Sequence, residues 1–183
     1  HYVQQIPSEN ESHIDQAYAD TDGYGERADR FPPDAAQYYG EITELLTSHG
    51  YEPNEAVIYT DEINYMAYNP YFGFNAFTSH YANPLGEFEL RNEELIAWSQ
   101  LSWDDPEALT EAIDESKWAP PVAFIFRGDV EEPDDGFKTH VAHDIFPNEP
   151  NVRYEGLFFN AEAFDNDEWD VEQIVPFAVV VRT

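Results

Sequence analysis

Apolar residues recur along the first two thirds of the chain with the spacing of amphipathic helices. One helix is predicted from Asp34 to about His49, where apolar positions follow every third or fourth residue and Gly50 supplies a stop. A second helix is predicted from about Glu87 to Leu101. A third is predicted to begin at Pro106, a residue favoured at the first helical position, with Asp105 as its N-cap.

Short apolar or alternating runs, typical of strands, concentrate in the last third of the chain. The run at 122–126 is continuously apolar, as in a central strand that is buried on both faces. The acidic segments 131–135 and 165–170 are expected to be solvated loops. The five predicted strands are Ala56–Thr60, Val122–Phe126, Phe137–Ile145, Val152–Phe159 and Ile174–Arg182. Helices early and strands late predict an α/β fold, a single domain with a mixed β-sheet of about five strands covered by three or more α-helices.

The length and punctuation of the chain indicate one domain preceded by a tether. Residues 1–33 are polar and irregular, and residues 34–183 carry the predicted soluble α/β domain; 183 residues suit one domain. No apolar run approaches the ~18–20 residues that a membrane-spanning helix needs, and no signal-peptide pattern opens the sequence. We therefore expect any membrane anchor or export signal to lie in a missing part of a larger protein.

The charge balance restricts the partners of this domain. Eight Lys and Arg residues face 38 Asp and Glu residues, a net charge of −30. Such a surface repels phosphate backbones, so nucleic acid is excluded as a partner, whereas a neutral ligand remains compatible. A purely solubilising role, or an adaptation to salt, is the more ordinary explanation of this acidity. Because there is no cysteine, disulfides and thiol catalysis are also excluded.

Motifs for catalysis or metal binding are weak in this sequence. Asp20 and Asp22 form the DxD pattern with which nucleotide-sugar glycosyltransferases hold a divalent metal, but no βαβ unit precedes them. His140 and His143 are expected on opposite faces of one strand, as surface or capping residues. Nucleotide-binding and serine-nucleophile motifs are absent. No catalytic residue and no metal ligand is therefore assigned.

The segment Tyr65–Tyr81 is unusually rich in aromatic residues that are interleaved with amides. Tyrosine faces can stack on the C–H groups of a sugar ring while amides bind its hydroxyls, so the segment favours carbohydrate binding. The alternative is that these rings fill the core, which we expect for Phe72, Phe74 and Phe77. For the tyrosines both placements stay open, because each buried hydroxyl would need a partner.

Five blocks of the sequence resemble the C-terminal domain of the actinobacterial galactan arabinofuranosyltransferases. The most specific is YNPYFGFNAFTSHYANPLGEFELR at 68–91. The others are DGYGERADRFPPDAAQYY at 22–39, WAPPVAFIFR at 118–127, DIFPNEPNVR at 144–153 and PFAVVVR at 176–182. The resemblance covers nearly all of the chain from Asp20 onward.

This resemblance implies a parent protein with catalytic residues outside the present sequence. The parent would be a plasma-membrane glycosyltransferase of the GT-C type that uses decaprenylphosphoryl arabinofuranose as its lipid-linked donor. It would add the first arabinofuranosyl residues to galactan during cell-wall arabinogalactan synthesis. The domain would lie on the extracytoplasmic side and would be inactive alone.

The role expected for the domain is acceptor binding, with docking onto the missing transmembrane domain of the same chain as an equal alternative. A free-standing carbohydrate-binding module and a soluble nucleotide-sugar transferase using Asp20 and Asp22 are further alternatives. The residues expected to stack on galactan are Tyr65, Tyr68, Tyr71 and Tyr81, and those expected to hydrogen-bond with it are Asn69, His80, Asn83 and Arg91.

Overall fold

A computed structural model of the chain describes residues 35–78, 82–83, 85–143 and 153–183. The predicted tether, residues 1–33, lies outside these ranges. Within them the α-helices are α1 (Tyr39–Ser48), α2 (Ile63–Tyr68), α3 (Phe88–Asp104) and α4 (Leu109–Asp114). The strands are β1 (Val57–Thr60), β2 (Phe72–Gly73), β3 (Ala123–Arg127), β4 (Phe137–His143), β5 (Arg153–Phe159), β6 (Trp169–Ile174) and β7 (Phe177–Arg182).

The seven strands form one mixed sheet in which β3 is central. β2, β1 and β3 run parallel, and the remaining neighbours pair antiparallel. β7 pairs with β3 along the whole length of β3, from Ala123 opposite Val181 to Arg127 opposite Phe177. The predicted mixed α/β sheet, covered by helices, is therefore confirmed.

β1 and β4 share the second edge of β3. β1 pairs with Ala123–Ile125, and β4 pairs with β3 only through Arg127 opposite Lys138. Because β7 occupies the other edge of β3 at these positions, β4 must pair with β3 on the same edge as β1, beyond the end of β1. The carboxyl end of β1 therefore meets the side of β4, and this junction positions the candidate site.

The hydrophobic core has two layers, one on each face of the sheet. Side chains alternate along a strand, so Phe124 and Phe126 pack in the layer beneath α3 and α4, whereas Ala123 and Ile125 pack against α1 and α2. All five residues of β3 are buried. The continuous apolar run that predicted a central strand is explained by this burial on both faces.

The helices begin and end largely where their sequence signals place them. α1 buries Tyr39, Ile42 and Leu46 and ends before Gly50, whose φ of +86° suits glycine at this position. The predicted cap at Asp105 is wrong, because its side chain makes no capping hydrogen bond with the 3₁₀ turn Pro106–Ala108, although proline does open that turn.

The sheet contains two strands beyond the five predicted from the sequence. β2 is only two residues long and lies in the aromatic segment. β6 includes Trp169 and Asp170, which were assigned to a solvated loop, and a turn at 175–176 separates it from β7. Ile174 and Phe177 are therefore opposite each other in a hairpin rather than consecutive in one strand.

No helix in the described part of the chain is both long and apolar enough to cross a bilayer.

Candidate functional site

Asp61 and His140 meet at the junction between β1 and β4, although 79 residues separate them in sequence. Asp61 is the first residue after β1, and His140 is in the middle of β4. Asp61 Oδ2 accepts hydrogen bonds from the His140 backbone N–H at 3.0 Å and from its Nδ1 at 2.7 Å. The carboxylate thus ties the end of one strand to the flank of another.

This contact determines which nitrogen of His140 is available for a ligand. Burial disfavours the charged carboxylate of Asp61, but the neighbouring His140 and Arg127 outweigh that effect and hold its pKa below the ordinary value. An ionised carboxylate only accepts hydrogen bonds, so Nδ1 must carry a proton. Nε2 is the nitrogen left to bind another group.

Neighbouring side chains fix the position of the His140 ring. Tyr59 Oη donates to the His140 carbonyl at 3.2 Å, and Thr139 Oγ1 donates to Tyr59 Oη at 3.2 Å. Burial raises the pKa of the Tyr59 hydroxyl, which therefore stays protonated and acts as a donor. The imidazole also meets Phe77 and Tyr154 edge to face, with ring centroids 5.6 and 5.2 Å apart.

His140 Nε2 has no hydrogen-bond partner among the described residues, although the His140 side chain is only 4% exposed. His140 also lines a small chamber of about 10 Å³, whose other walls are the carboxyl end of β1, Val141 and Ala142 of β4, residues 75–77, and Asn92 and Leu95 of α3. This volume is room for about one water-sized group. A buried polar atom without a partner is unfavourable, so the chamber is suited to a small polar group.

A larger cleft of about 450 Å³ lies beside the chamber. Thr60 and residues 75–77 line both cavities, so the chamber and the cleft share one wall. The cleft lies at the carboxyl ends of parallel β1 and β2, the usual position of ligands in α/β sheets. Its other lining residues are Ile58, Ile63, Met66, Ala67 and Gly73.

A second buried polar cluster lies next to the carboxyl end of β1. The Glu62 carboxylate pairs with the Arg127 guanidinium and accepts a hydrogen bond from Tyr39 Oη at 2.7 Å. Both members of the ion pair are about nine-tenths buried. The cluster connects α1, the residue before α2, and the end of β3, so it fixes the cleft wall relative to the sheet.

The structure places Tyr65 and Tyr71 in the core, so the expectation that they present stacking surfaces is wrong. Tyr65 is fully buried and its hydroxyl is 3.1 Å from Thr43 Oγ1; Tyr71 is 5% exposed and donates to the Tyr51 carbonyl at 3.1 Å. Their two rings stack at a centroid distance of 6.2 Å. Each hydroxyl found a partner in α1 or the loop that follows it.

Of the other predicted contacts, Tyr68 is largely exposed. Its side chain is 77% exposed on α2, the helix that forms one wall of the cleft. Asn69 is engaged locally, since Nδ2 donates to the Tyr65 carbonyl and Oδ1 accepts from Thr43. Asn83 is exposed, and its Oδ1 accepts a hydrogen bond from the Leu85 backbone.

Arg91 belongs to the scaffold behind the aromatic segment. Its Nε donates to the Gly86 carbonyl at 2.8 Å and its Nη1 to the Phe74 carbonyl at 2.6 Å, while the guanidinium lies 4.7 Å from the Trp118 ring. The expected core placement is confirmed for Phe74, which is 1% exposed. It is wrong for Phe72, which is 55% exposed. His80 and Tyr81 lie outside the described residues.

The buried pairing of His140 with Asp61 was missed by the sequence analysis. His140, expected at the surface, is buried, whereas His143 is part-exposed and pairs with Glu155 at 2.6 Å. The available signal was Asp61, an acid that directly follows a buried strand. In the described ranges no group of three or more metal-binding side chains converges, and Asp20 and Asp22 lie outside those ranges.

The fold and the cleft together define an α/β domain with a ligand-sized cavity at the carboxyl ends of parallel strands. Sequence comparison shows its family: the model described as "Arabinofuranosyltransferase A C terminal" matches residues 6–182. The chain belongs to this family of C-terminal domains.

Three relatives, each named galactan 5-O-arabinofuranosyltransferase, illustrate the similarity. The protein of Corynebacterium glutamicum is 50% identical over 100% of this chain. Those of Mycolicibacterium smegmatis and Mycobacterium tuberculosis H37Rv are 37% and 35% identical over 99% of it. The chain spans 28% of the length of each relative.

Proposed function

We propose that this chain is the C-terminal domain of a membrane glycosyltransferase that acts in cell-wall arabinogalactan synthesis. The parent enzyme transfers the first arabinofuranosyl residues from decaprenylphosphoryl arabinofuranose to galactan, and the domain lies on the extracytoplasmic side of the plasma membrane. The observation that carries the proposal is 50% identity, over the full chain, with a relative named galactan 5-O-arabinofuranosyltransferase. The reaction itself is assigned to the rest of the enzyme.

Within that enzyme, the domain binds the galactan acceptor. The cleft of about 450 Å³ is within the range of small-molecule sites and has a largely apolar lining. A net charge of −30 opposes the phosphate of the lipid-linked donor but does not oppose an uncharged polysaccharide. Tyr68 offers an exposed ring for stacking on the same helix whose residues Ile63, Met66 and Ala67 line the cleft.

Docking onto the transmembrane part of the same enzyme is a second candidate function. It is favoured by exposed apolar side chains at the cleft, Ile63 at 42% exposure in its lining and Phe72 at 55% next to the lining residue Gly73. Apolar groups exposed together are typical of surfaces that contact another protein segment or a membrane. The two functions differ in whether the isolated chain binds sugar.

The first experiment is a transfer assay with the full-length enzyme in membranes, supplied with the lipid-linked donor and galactan oligosaccharides. We expect arabinofuranosyl transfer, and we expect Tyr68→Ala to raise KM for galactan about 3- to 10-fold while KM for the donor stays constant. That range corresponds to roughly 0.5–1.5 kcal/mol for one aromatic contact. Val175→Ala, at an exposed apolar residue in the β6–β7 turn, is the matched control.

Titration of galactan oligosaccharides into the chain separates acceptor binding from docking. Chemical-shift changes at cleft residues would support acceptor binding. Absence of any change up to millimolar concentration would favour docking. A full-length protein that transfers no arabinofuranose to galactan would refute the proposed activity itself.

A further inference from the structure

We propose that the buried His140 recognises one hydroxyl group of a saccharide held in the neighbouring cleft: its Nε2 binds that hydroxyl within the small chamber. This inference rests on the proposed acceptor function and names the group that would give it specificity. The juxtaposition that motivates it is an unpartnered ring nitrogen, a chamber the size of one water, and a ligand-sized cleft sharing a wall with that chamber.

The state of the imidazole favours a hydroxyl partner. Asp61 engages Nδ1, so Nε2 presents a lone pair when the ring is neutral and a proton when the ring is charged. A hydroxyl both donates and accepts, and it satisfies Nε2 in either case. Phe77 and Tyr154 hold the ring edge to face, which keeps Nε2 in a fixed direction.

Other ligand classes fit the chamber poorly. A phosphate is too large for about 10 Å³ and would lie close to the Asp61 carboxylate. A metal ion needs several converging ligands, and the described residues bring no such group together. The amides that border the chamber already serve the scaffold, since Asn75 Nδ2 donates to Asn92 Oδ1 at 2.8 Å and Asn92 Nδ2 donates to the Ala142 carbonyl at 2.7 Å.

The wall between chamber and cleft is a loop rather than a regular element. Residues 75–77 follow β2 after one intervening residue, Phe74, and they line both cavities together with Thr60. Asn75 is held by its hydrogen bonds to α3, whereas Phe77 contacts the imidazole itself. The proposal requires a sugar lying in the cleft to place an exocyclic hydroxyl past Phe77 into the chamber.

The test is an NMR titration of the ¹⁵N-labelled full chain with galactan oligosaccharides, observing the side-chain nitrogens of His140. We expect the Nε2 resonance to shift with saturation while Nδ1, held by Asp61, changes little. The variant His140→Asn keeps an amide near the Nδ1 position but removes Nε2, and it should weaken binding about 5-fold, the effect of losing one hydrogen bond. His143→Asn, on the same strand, should bind like the native chain.

The outcomes separate this inference from the proposed function. Saccharide binding at the cleft with an unchanged Nε2 resonance, or equal affinity of the native chain and His140→Asn, would overturn the inference and leave the acceptor function standing. Complete lack of saccharide binding by the native chain would overturn both. The ring resonances are read in the native protein, so the result does not depend on the variant folding.

Discussion

Removing the Glu62 carboxylate is expected to be among the most damaging single changes in this domain. The variant Glu62→Ala removes the buried carboxylate that pairs with the Arg127 guanidinium and accepts the hydrogen bond of the Tyr39 hydroxyl. The Arg127 side chain is 10% exposed and stacks 4.8 Å from the Phe177 ring, so it cannot turn into solvent without disturbing the core.

The magnitude follows from the burial of the pair. Breaking a buried ion pair by deleting one partner costs about 3–5 kcal/mol, because a charge remains in a poorly solvated site. A chain of this size loses roughly 2–4 °C of melting temperature per kcal/mol, so we expect a fall of about 6–20 °C. The pair of Arg182 and Asp114 provides the more solvent-exposed comparison: the side chains are 18% and 51% exposed, and Asp114→Ala should cost at most about 1 kcal/mol.

Urea denaturation at neutral pH measures both losses, and a double-mutant cycle with Glu62→Gln and Arg127→Met isolates the coupling between the two charges. A cost for Glu62→Ala no greater than that for Asp114→Ala would show that burial does not strengthen this pair. A coupling energy near zero in the cycle would refute the reasoning directly.

Three further predictions concern pH, backbone geometry and salt. The pKa of Asp61 is lower in the folded state than its ordinary value of 3.8. Its contribution to stability is therefore complete above pH 3.8 and is lost as pH falls through the folded-state pKa. Asp61→Asn should destabilise the domain at neutral pH, and the difference from the native chain in urea titrations should shrink below pH 3.8. Gly136→Ala places a methyl group 3.0 Å from the Phe159 carbonyl oxygen and 3.0 Å from the Trp103 ring, at a φ of +69°. This variant should lower the free energy of unfolding by about 1–3 kcal/mol. The control is Gly40→Ala, whose added methyl group has no neighbour within 4 Å. Raising NaCl from about 0.01 M to about 1 M shortens the screening length from roughly 30 Å to about 3 Å, so the native chain should melt at higher temperature in salt; an unchanged melting temperature would contradict significant self-repulsion at a charge of −30.

The strands that form the centre of the sheet could be predicted because burial on both faces leaves a simple trace. β3 and β7 each contain a short continuous apolar run rich in β-branched or aromatic residues, which favours a buried strand over a helix. β6 leaves no such trace: WDVEQI carries two acids and pairs with one neighbour only, so it reads as a loop. Its hairpin with β7 depends on the turn at 175–176, which apolarity alone does not reveal.

The candidate site was largely inaccessible to sequence reasoning, for a different reason. Aromatic density near Tyr65 indicates either a sugar platform or a core, and what decides between them is whether distant hydroxyl partners exist. Those partners, Thr43 and Tyr51, come from another element. Likewise, Asp61 meets His140 only because β1 and β4 share one edge of β3, a tertiary feature that no local pattern encodes.

The edge strands of the sheet also affect how copies of this domain behave at high protein concentration. Within the described ranges, β2, β5 and β6 each pair with a single neighbour and so end the sheet with open backbone groups. β2 is too short to template another strand, and the other two carry acids: Glu155 on β5, and Asp170 and Glu172 on β6. Two molecules that approach edge to edge bring carboxylates together, which opposes strand exchange and fibril growth.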